Sequence, residues 1–229
     1  MNQDNRKESS PKFFIVDSQK LCMDGTIKLL HSKYPQAEIF TARNTIDFLN
    51  QLSKYKPDLL VVDIYISERP GEISSTNIGI QLLKKIMQNY PQLNIVVQSS
   101  YIKKLVRIKS EIDAHCGGFT VGDKSISTVE LLNRIEWSLK KLIHTKDIPY
   151  LNFGLQFKPE WLSLLTLAFG EGLQDKAIAK HICVSERMIR HYWVGLQDAL
   201  EIDGDELKNQ GKNLRIVTQI RAREIGLID

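Results

Sequence analysis

Short apolar runs recur through the first half of the chain: KFFIVD (12–17), AEIF (37–40), DLLVVD (58–63), NIVVQS (94–99) and GGFTVG (117–122). They are apolar at successive positions rather than at alternate ones, as strands buried on both faces are. Between them the apolar residues fall at helical spacing, near 21–34, 44–54, 78–90, 102–113 and 127–143, with Leu21, Ile27 and Leu30 marking the face of the first. This alternation of strand and helix predicts a doubly wound parallel sheet, with any ligand at the carboxyl ends of the strands.

One of these runs raises a question. DLLVVDIYI (58–66) contains a lone carboxylate, Asp63, among Val61, Val62, Ile64 and Ile66, and an unpaired buried charge is strongly unfavourable. Asp17, Asp63 and Ser99 each fall at the last position of a predicted strand, and in a doubly wound sheet such positions converge on one crevice. Asp and Ser also cap loops and helices at such places, but three of them at strand ends favour a site.

The alternation stops at HTKDIPYLNFGLQF (144–157), where Pro149 and Gly154 interrupt any period and predict a linker. Everything beyond reads as helix, at 159–170, 173–181, 185–200 and 213–226. The expected organisation is a polar tail (1–11), an α/β domain (12–143), the linker (144–157) and an all-α four-helix domain (158–229).

Composition narrows the function classes. In 229 residues with 42% hydrophobic and 25% charged positions, no run approaches the ~20 apolar residues of a membrane span, so a cytoplasmic protein without a membrane partner is expected. Cys22, Cys116 and Cys183 are far apart and form no CxxC pair, which argues against a disulfide framework or a zinc site and for buried thiols. No nucleophile–base pair or metal-ligand cluster stands out, so the chain does not read as an enzyme. The net charge is +4, yet from Tyr150 onward five Lys and five Arg face five Asp and six Glu, a balance of −1. Nucleic-acid binding by the second half must therefore rest on local charge.

These features together resemble the two-component response regulators that join a receiver domain to a LuxR-type, NarL-like helix-turn-helix domain, over about 12–228. The resemblance implies a flavodoxin-like (βα)5 receiver, with Asp17 and Ser18 at the acidic-pair position, Asp63 as phosphoacceptor and Ser99 as the hydroxyl. Gly122 stands where that family has a lysine, and Lys124 lies two residues later, close enough in sequence to reach back. Phosphoryl transfer to a carboxylate uses a hard divalent cation held by oxygen ligands. The resemblance makes Asp17 and Asp63 the Mg2+ ligands, and with Ser18 in place of the second acid any Mg2+ is held weakly. Phosphorylation is accordingly expected to be feeble or absent. The polar stretch SERPGEISSTN (67–77) lengthens the loop before Gly79, and Glu68 or Glu72 is a candidate replacement for the missing acid.

In the second half, GLQDKAIAKHICVSERMIRHYWVGLQDAL (172–200) is similar to the LuxR-type helix-turn-helix pattern, with Gly172, Leu173, Lys176, Ile178, Ala179, Val184, Ser185, Ile189 and Arg190 in register. Ser185 suits the N-cap of the second helix. The resemblance assigns Arg190, His191 and Val194 to bases and Lys176 and Arg187 to phosphates, and it implies double-stranded DNA as partner, a homodimer, and a sensor histidine kinase upstream. From Lys176 to Gln197, Lys176, Lys180, Arg187 and Arg190 outweigh Glu186. DALEIDGDELKNQGKN (198–213) is acidic and must face away from phosphate, or DNA binding is weak. The competing reading is a protein-interaction adaptor that keeps both folds without binding DNA.

Overall fold

In the computed structural model, residues 10–149 and 158–228 are described. The chain divides into two compact units, Met1–Ile102 with Glu111–Asp147, and Lys103–Ser110 with Ile148–Asp229.

The first unit is built on a parallel sheet ordered β2-β1-β3-β4-β5-β6, with β1 Lys12–Val16, β2 Glu38–Ala42, β3 Leu59–Val62, β4 Asn94–Gln98, β5 Phe119–Gly122 and β6 Ile143–His144. Helices α1 (Lys20–Lys33), α2 (Thr45–Tyr55), α3 (Thr76–Asn89), α4 (Lys109–Asp113) and α5 (Thr128–Leu139) follow the strands in turn. β3 and β5 are buried at every position, which is why their sequences carry no alternation. Phe13, Ile15, Leu59, Val61 and Val96 pack on one side with Met23 and Leu30 of α1 and Leu131 and Ile135 of α5. Phe14 meets Phe48 of α2 edge-on at 4.9 Å.

Local sequence fixes the helix starts. Asn44 caps α2, Ser75 caps α3, and Ser127 with Glu130 forms a capping box on α5. The predicted helix at 102–113 divides instead into a 3-10 stretch, Ile102–Ile108, and the single turn of α4. Ile102, Leu105 and Ile108, all buried, recur every third residue, and that spacing forms a straight stripe on three residues per turn.

Two other expectations need correction. Leu21 is 85% exposed, whereas Leu30 is buried as expected, together with Met23 and Thr26. The helix expected to reach residue 143 ends at Leu139; Lys141 takes a left-handed turn (φ 58°), and Ile143 and His144 pair with Phe119 and Thr120. The predicted linker therefore begins inside the sheet, and its residues 150–157 lie outside the described ones.

The second unit contains α6 (Pro159–Leu165), which runs into a π-type turn at Thr166–Gly170, then α7 (Asp175–His181), α8 (Glu186–Ala199) and α10 (Leu214–Glu224). In addition to the four expected helices, the acidic connection folds a short helix, α9 (Gly204–Asn209), whose first turn is capped by the Asp203 side chain. Trp161, Leu164, Ile178, Ile189 and Leu196 are buried in the helical unit. The cysteines are free, and Cys116 and Cys183 are exposed rather than buried. Cys183 occupies the turn between α7 and α8 with φ 57°, where its side chain has no core to enter.

Candidate functional site

The sheet register explains why distant residues meet. Val16 lies opposite Val62, Val62 opposite Val97, and Val97 opposite Val121, so the residues just beyond each strand end share one crevice. Backbone bonds continue past the strands, from Asp63 N to Val16 O at 2.9 Å and from Ser99 N to Gly122 O at 3.2 Å. Asp17, Asp63 and Ser99 are all buried there.

Their polar atoms are engaged by one another. The Ser99 hydroxyl donates to Asp63 Oδ1 at 2.5 Å, and the Tyr65 amide donates to the same oxygen at 2.9 Å. Asp17 Oδ1 accepts from the Gln19 amide at 2.7 Å. The Lys124 ammonium bridges the remaining oxygens, 2.8 Å from Asp17 Oδ2 and 2.7 Å from Asp63 Oδ2. Lys124 therefore reaches the crevice from two residues beyond the position where the lysine was expected. β5 ends at Gly122, and the long side chain spans the difference.

Burial raises the pKa of Asp17 above the ordinary carboxylate value, an effect that Lys124 and the Gln19 amide offset only in part. For Lys124, burial is the largest single influence and opposes the charge, but the two carboxylates together outweigh it and the pKa is raised. The ammonium is thus the group that makes two buried acids tolerable in one site.

The Ser18 hydroxyl donates to the Tyr65 carbonyl at 3.3 Å, and the Ser18 carbonyl accepts from Arg43 Nη2 at 3.1 Å. Glu68 and Glu72 do not replace the missing acid. Both are exposed, and Glu72 Oε2 accepts from the Arg69 amide at 3.2 Å. Among the described residues no three His, Cys, Asp or Glu side chains come together in a metal-binding group.

The lengthened loop has a structural role of its own. The Ser67 and Glu68 carbonyls accept from the amides of Thr45 and Ile46 at 3.1 and 3.2 Å, satisfying donors at the N-terminus of α2 that have no partner within the helix. Ile66 and Ser75 bridge across the loop. Its Pro70, Gly71 and Glu72 wall a cleft of about 740 Å³ shared with Ser18, Arg43 and Asp47.

In the second unit the predicted nucleic-acid residues gather on one helix face. Arg187, Arg190, His191 and Val194 are exposed along α8, and Lys176 is exposed on α7. Ile189 and Trp193, on the opposite side, are buried. Ser185 uses its side chain to cap α8, accepting from the Met188 amide at 3.2 Å.

The pattern did not reveal what holds α8 in place. Arg215 of α10 grips Asp175 of α7 with Nη2 2.8 Å from each carboxylate oxygen. Its guanidinium lies 3.6 Å from the centroid of the Trp193 ring, and Trp193 Nε1 donates to Asp175 Oδ1 at 3.1 Å. Three helices are joined through one acid, one cation and one aromatic ring. An acid in the first turn of α7 was the available sequence signal.

No family model matches the chain. Among solved structures it is similar to RcsB from Salmonella enterica serovar Typhimurium bound to promoter rprA in the presence of the phosphomimetic BeF3−, at 16% identity and TM-score 0.51, covering 94% of this chain and 99% of that one. It also resembles a structure of two RcsB dimers bound to two parallel DNAs, at 17% identity and TM-score 0.58, covering 94% and 98%. The two-component response regulator RcsB–DNA complex is similar at 17% identity and TM-score 0.56, with the same coverage. At such identities the likeness is one of fold: a flavodoxin-like receiver followed by a helix-turn-helix domain.

Proposed function

We propose that this chain is a cytoplasmic, non-enzymatic transcriptional regulator that binds double-stranded DNA as a homodimer, through a receiver that phosphorylation of Asp63 controls weakly or not at all. The observation that carries the DNA-binding part is the exposed face of α8. Arg187 and Arg190 stand in the first turns, where the helix dipole disfavours cations, and neither has a side-chain partner among the described residues. An external anion is the natural counter-charge.

In this reading α8 enters the major groove. Arg190 and His191 address base edges, Val194 offers an apolar contact for a thymine methyl, and Lys176 and Arg187 meet phosphates. The Asp175–Trp193–Arg215 cluster keeps the reading helix rigid, so that base contacts are not lost to side-chain and helix motion. Pairing of two copies supplies two half-sites. The RcsB structures with DNA and with dimers support both partners as expectations for this chain, and a sensor histidine kinase remains part of the proposal only as the donor such a receiver would use.

Within the receiver, the hydroxyl of Ser99 and the ammonium of Lys124 both touch Asp63, so a lysine is present after all. Weak phosphorylation rests on position 18, where a hydroxyl replaces an acid and the remaining carboxylates are already satisfied. The two carboxylates are a poor Mg2+ site in this reading, because the Lys124 ammonium already bridges them and position 18 supplies no third acid.

Selection of genomic fragments by the full-length protein, read as affinity against salt, tests the DNA-binding part. An enriched sequence that weakens with salt and disappears in Arg190→Ala is expected. No enrichment would favour the adaptor reading. Stoichiometric phosphorylation by acetyl phosphate, abolished by Asp63→Ala, would overturn the receiver part.

A further inference from the structure

We infer that Lys124 is the resident cation of the strand-end crevice, standing where a divalent metal would otherwise be required, and that Ser18 makes this arrangement metal-independent. The inference deepens the receiver reading above and rests on it.

Asp17 and Asp63 together present four carboxylate oxygens, and each accepts a donor: Gln19 N on one, Tyr65 N with Ser99 Oγ on another, and Lys124 Nζ on the remaining two. The Tyr65 carbonyl beside them is occupied by the Ser18 hydroxyl. A hard cation using the remaining lone pairs of these oxygens enters against the resident ammonium, which it must push aside or face across the same carboxylates. Charge gives the same answer. Two carboxylates and one ammonium leave −1, a poor attraction for a divalent ion that must shed water.

Position 18 decides the outcome. A hydroxyl can donate to the Tyr65 carbonyl; a carboxylate cannot, and in its place would face that carbonyl with like partial charge. A third acid therefore needs a cation to join it to the carbonyl and to Asp17. In this chain the serine removes that need, and Lys124 closes what is left. The side chain of Lys124 is 11% exposed and those of Asp17 and Asp63 are 7% and 3% exposed, so the bridge is shielded from the screening that weakens surface pairs.

The test uses the full-length protein, with thermal melting and calorimetric titration of MgCl2 without DNA. The wild-type melting temperature and heat of titration are expected to be unchanged at millimolar Mg2+. Ser18→Asp is expected to melt lower without metal and to recover several degrees with Mg2+, and Lys124→Met to melt lower and recover in part. Saturable Mg2+ binding by the wild type at submillimolar concentration, lost in Asp17→Asn, would overturn the inference. So would a Ser18→Asp protein that folds and ignores Mg2+; if that variant does not fold, the wild-type titration still decides. DNA affinity of the same samples with and without Mg2+ is measured separately, so failure of the regulator reading and failure of this one remain distinct.

Discussion

The strand-end crevice and the exposed face of α8 both collect charged side chains, and they differ in where the counter-charge comes from. In the crevice Asp17 and Asp63 find their counter-charge in Lys124 inside the fold, with Ser99 and two backbone amides completing the set. On α8, Arg187 and Arg190 are exposed and have no side-chain partner among the described residues. A charge satisfied internally is a matter of stability and internal switching, whereas one left for the outside points to a partner. The same residue types therefore predict opposite responses to mutation: change in the crevice should alter folding, and change on α8 should alter binding.

The largest effect is expected from Lys124→Met, which leaves two buried acids facing each other without a cation. Breaking a buried pair by removing one partner costs about 3–5 kcal/mol, and urea unfolding of the receiver transition measures it. The pH dependence has a definite sign. Lys124 has a folded pKa raised above 10.5, so its contribution is fully present below that value and is lost as pH rises through the higher folded one. Asp17 is also raised, from 3.8, so the folded state holds that proton more tightly and stability falls as pH rises from 3.8 through the folded value. Lys124→Met should remove this residue's share of the alkaline loss and deepen the acid-side fall, since the lysine is among the groups that hold the Asp17 pKa down. An unchanged pH profile would show that the bridge contributes nothing to folding.

Next in size is Gly79→Ala. A Cβ at Gly79 would lie 2.2 Å from the Ile64 carbonyl oxygen, so α3 must move off the segment that follows Asp63. About 3 kcal/mol is expected, the upper part of the range for overpacking. A variant as stable as wild type would mean that α3 is free to shift and that the crevice geometry does not depend on its depth.

Much of this comparison was legible in the sequence, and the reasons for the gaps are physical. Strand positions followed from apolar runs because β1, β3, β4 and β5 are buried on both faces, and the crevice followed because parallel register carries equal strand ends to one edge. Ser185 and Arg190 could be placed because helix caps and helical spacing are local. Lys124 was legible as a candidate, and the structure puts its ammonium on both acids; its geometry was not, since a position two residues beyond a strand end becomes useful only through side-chain length and the turn that follows. Nor was β6, which needs the left-handed Lys141 and the edge of β5 to form. Leu21 misled because an apolar residue at helical spacing is not obliged to face the core. The Asp175–Trp193–Arg215 cluster joins residues 40 apart in sequence, and no period records it.

Arg190→Ala tests the other side of the comparison. Loss of a specific base contact costs about 1–3 kcal/mol of discrimination, with the urea midpoint unchanged because the side chain is exposed and has no partner among the described residues. Competition between the selected sequence and unrelated DNA measures it. If folding stability fell with affinity, the residue would belong to the fold and the contrast with the crevice would fail.

The smallest effect, and the most discriminating in kind, belongs to Lys176→Ala. Lys176 is exposed on α7 and is read as a phosphate contact, which carries no sequence information. Its loss should weaken selected and unrelated DNA alike and lower the steepness of the salt dependence by about one unit, because one fewer counterion is released. Arg190→Ala, by contrast, should narrow the gap between selected and unrelated DNA. Measured together across a salt series, the two substitutions separate charge that positions the protein from charge that reads the sequence. Equal narrowing in both would mean that the exposed cations act as an undivided basic patch, and the sharp division of roles along α7 and α8 would have to be abandoned.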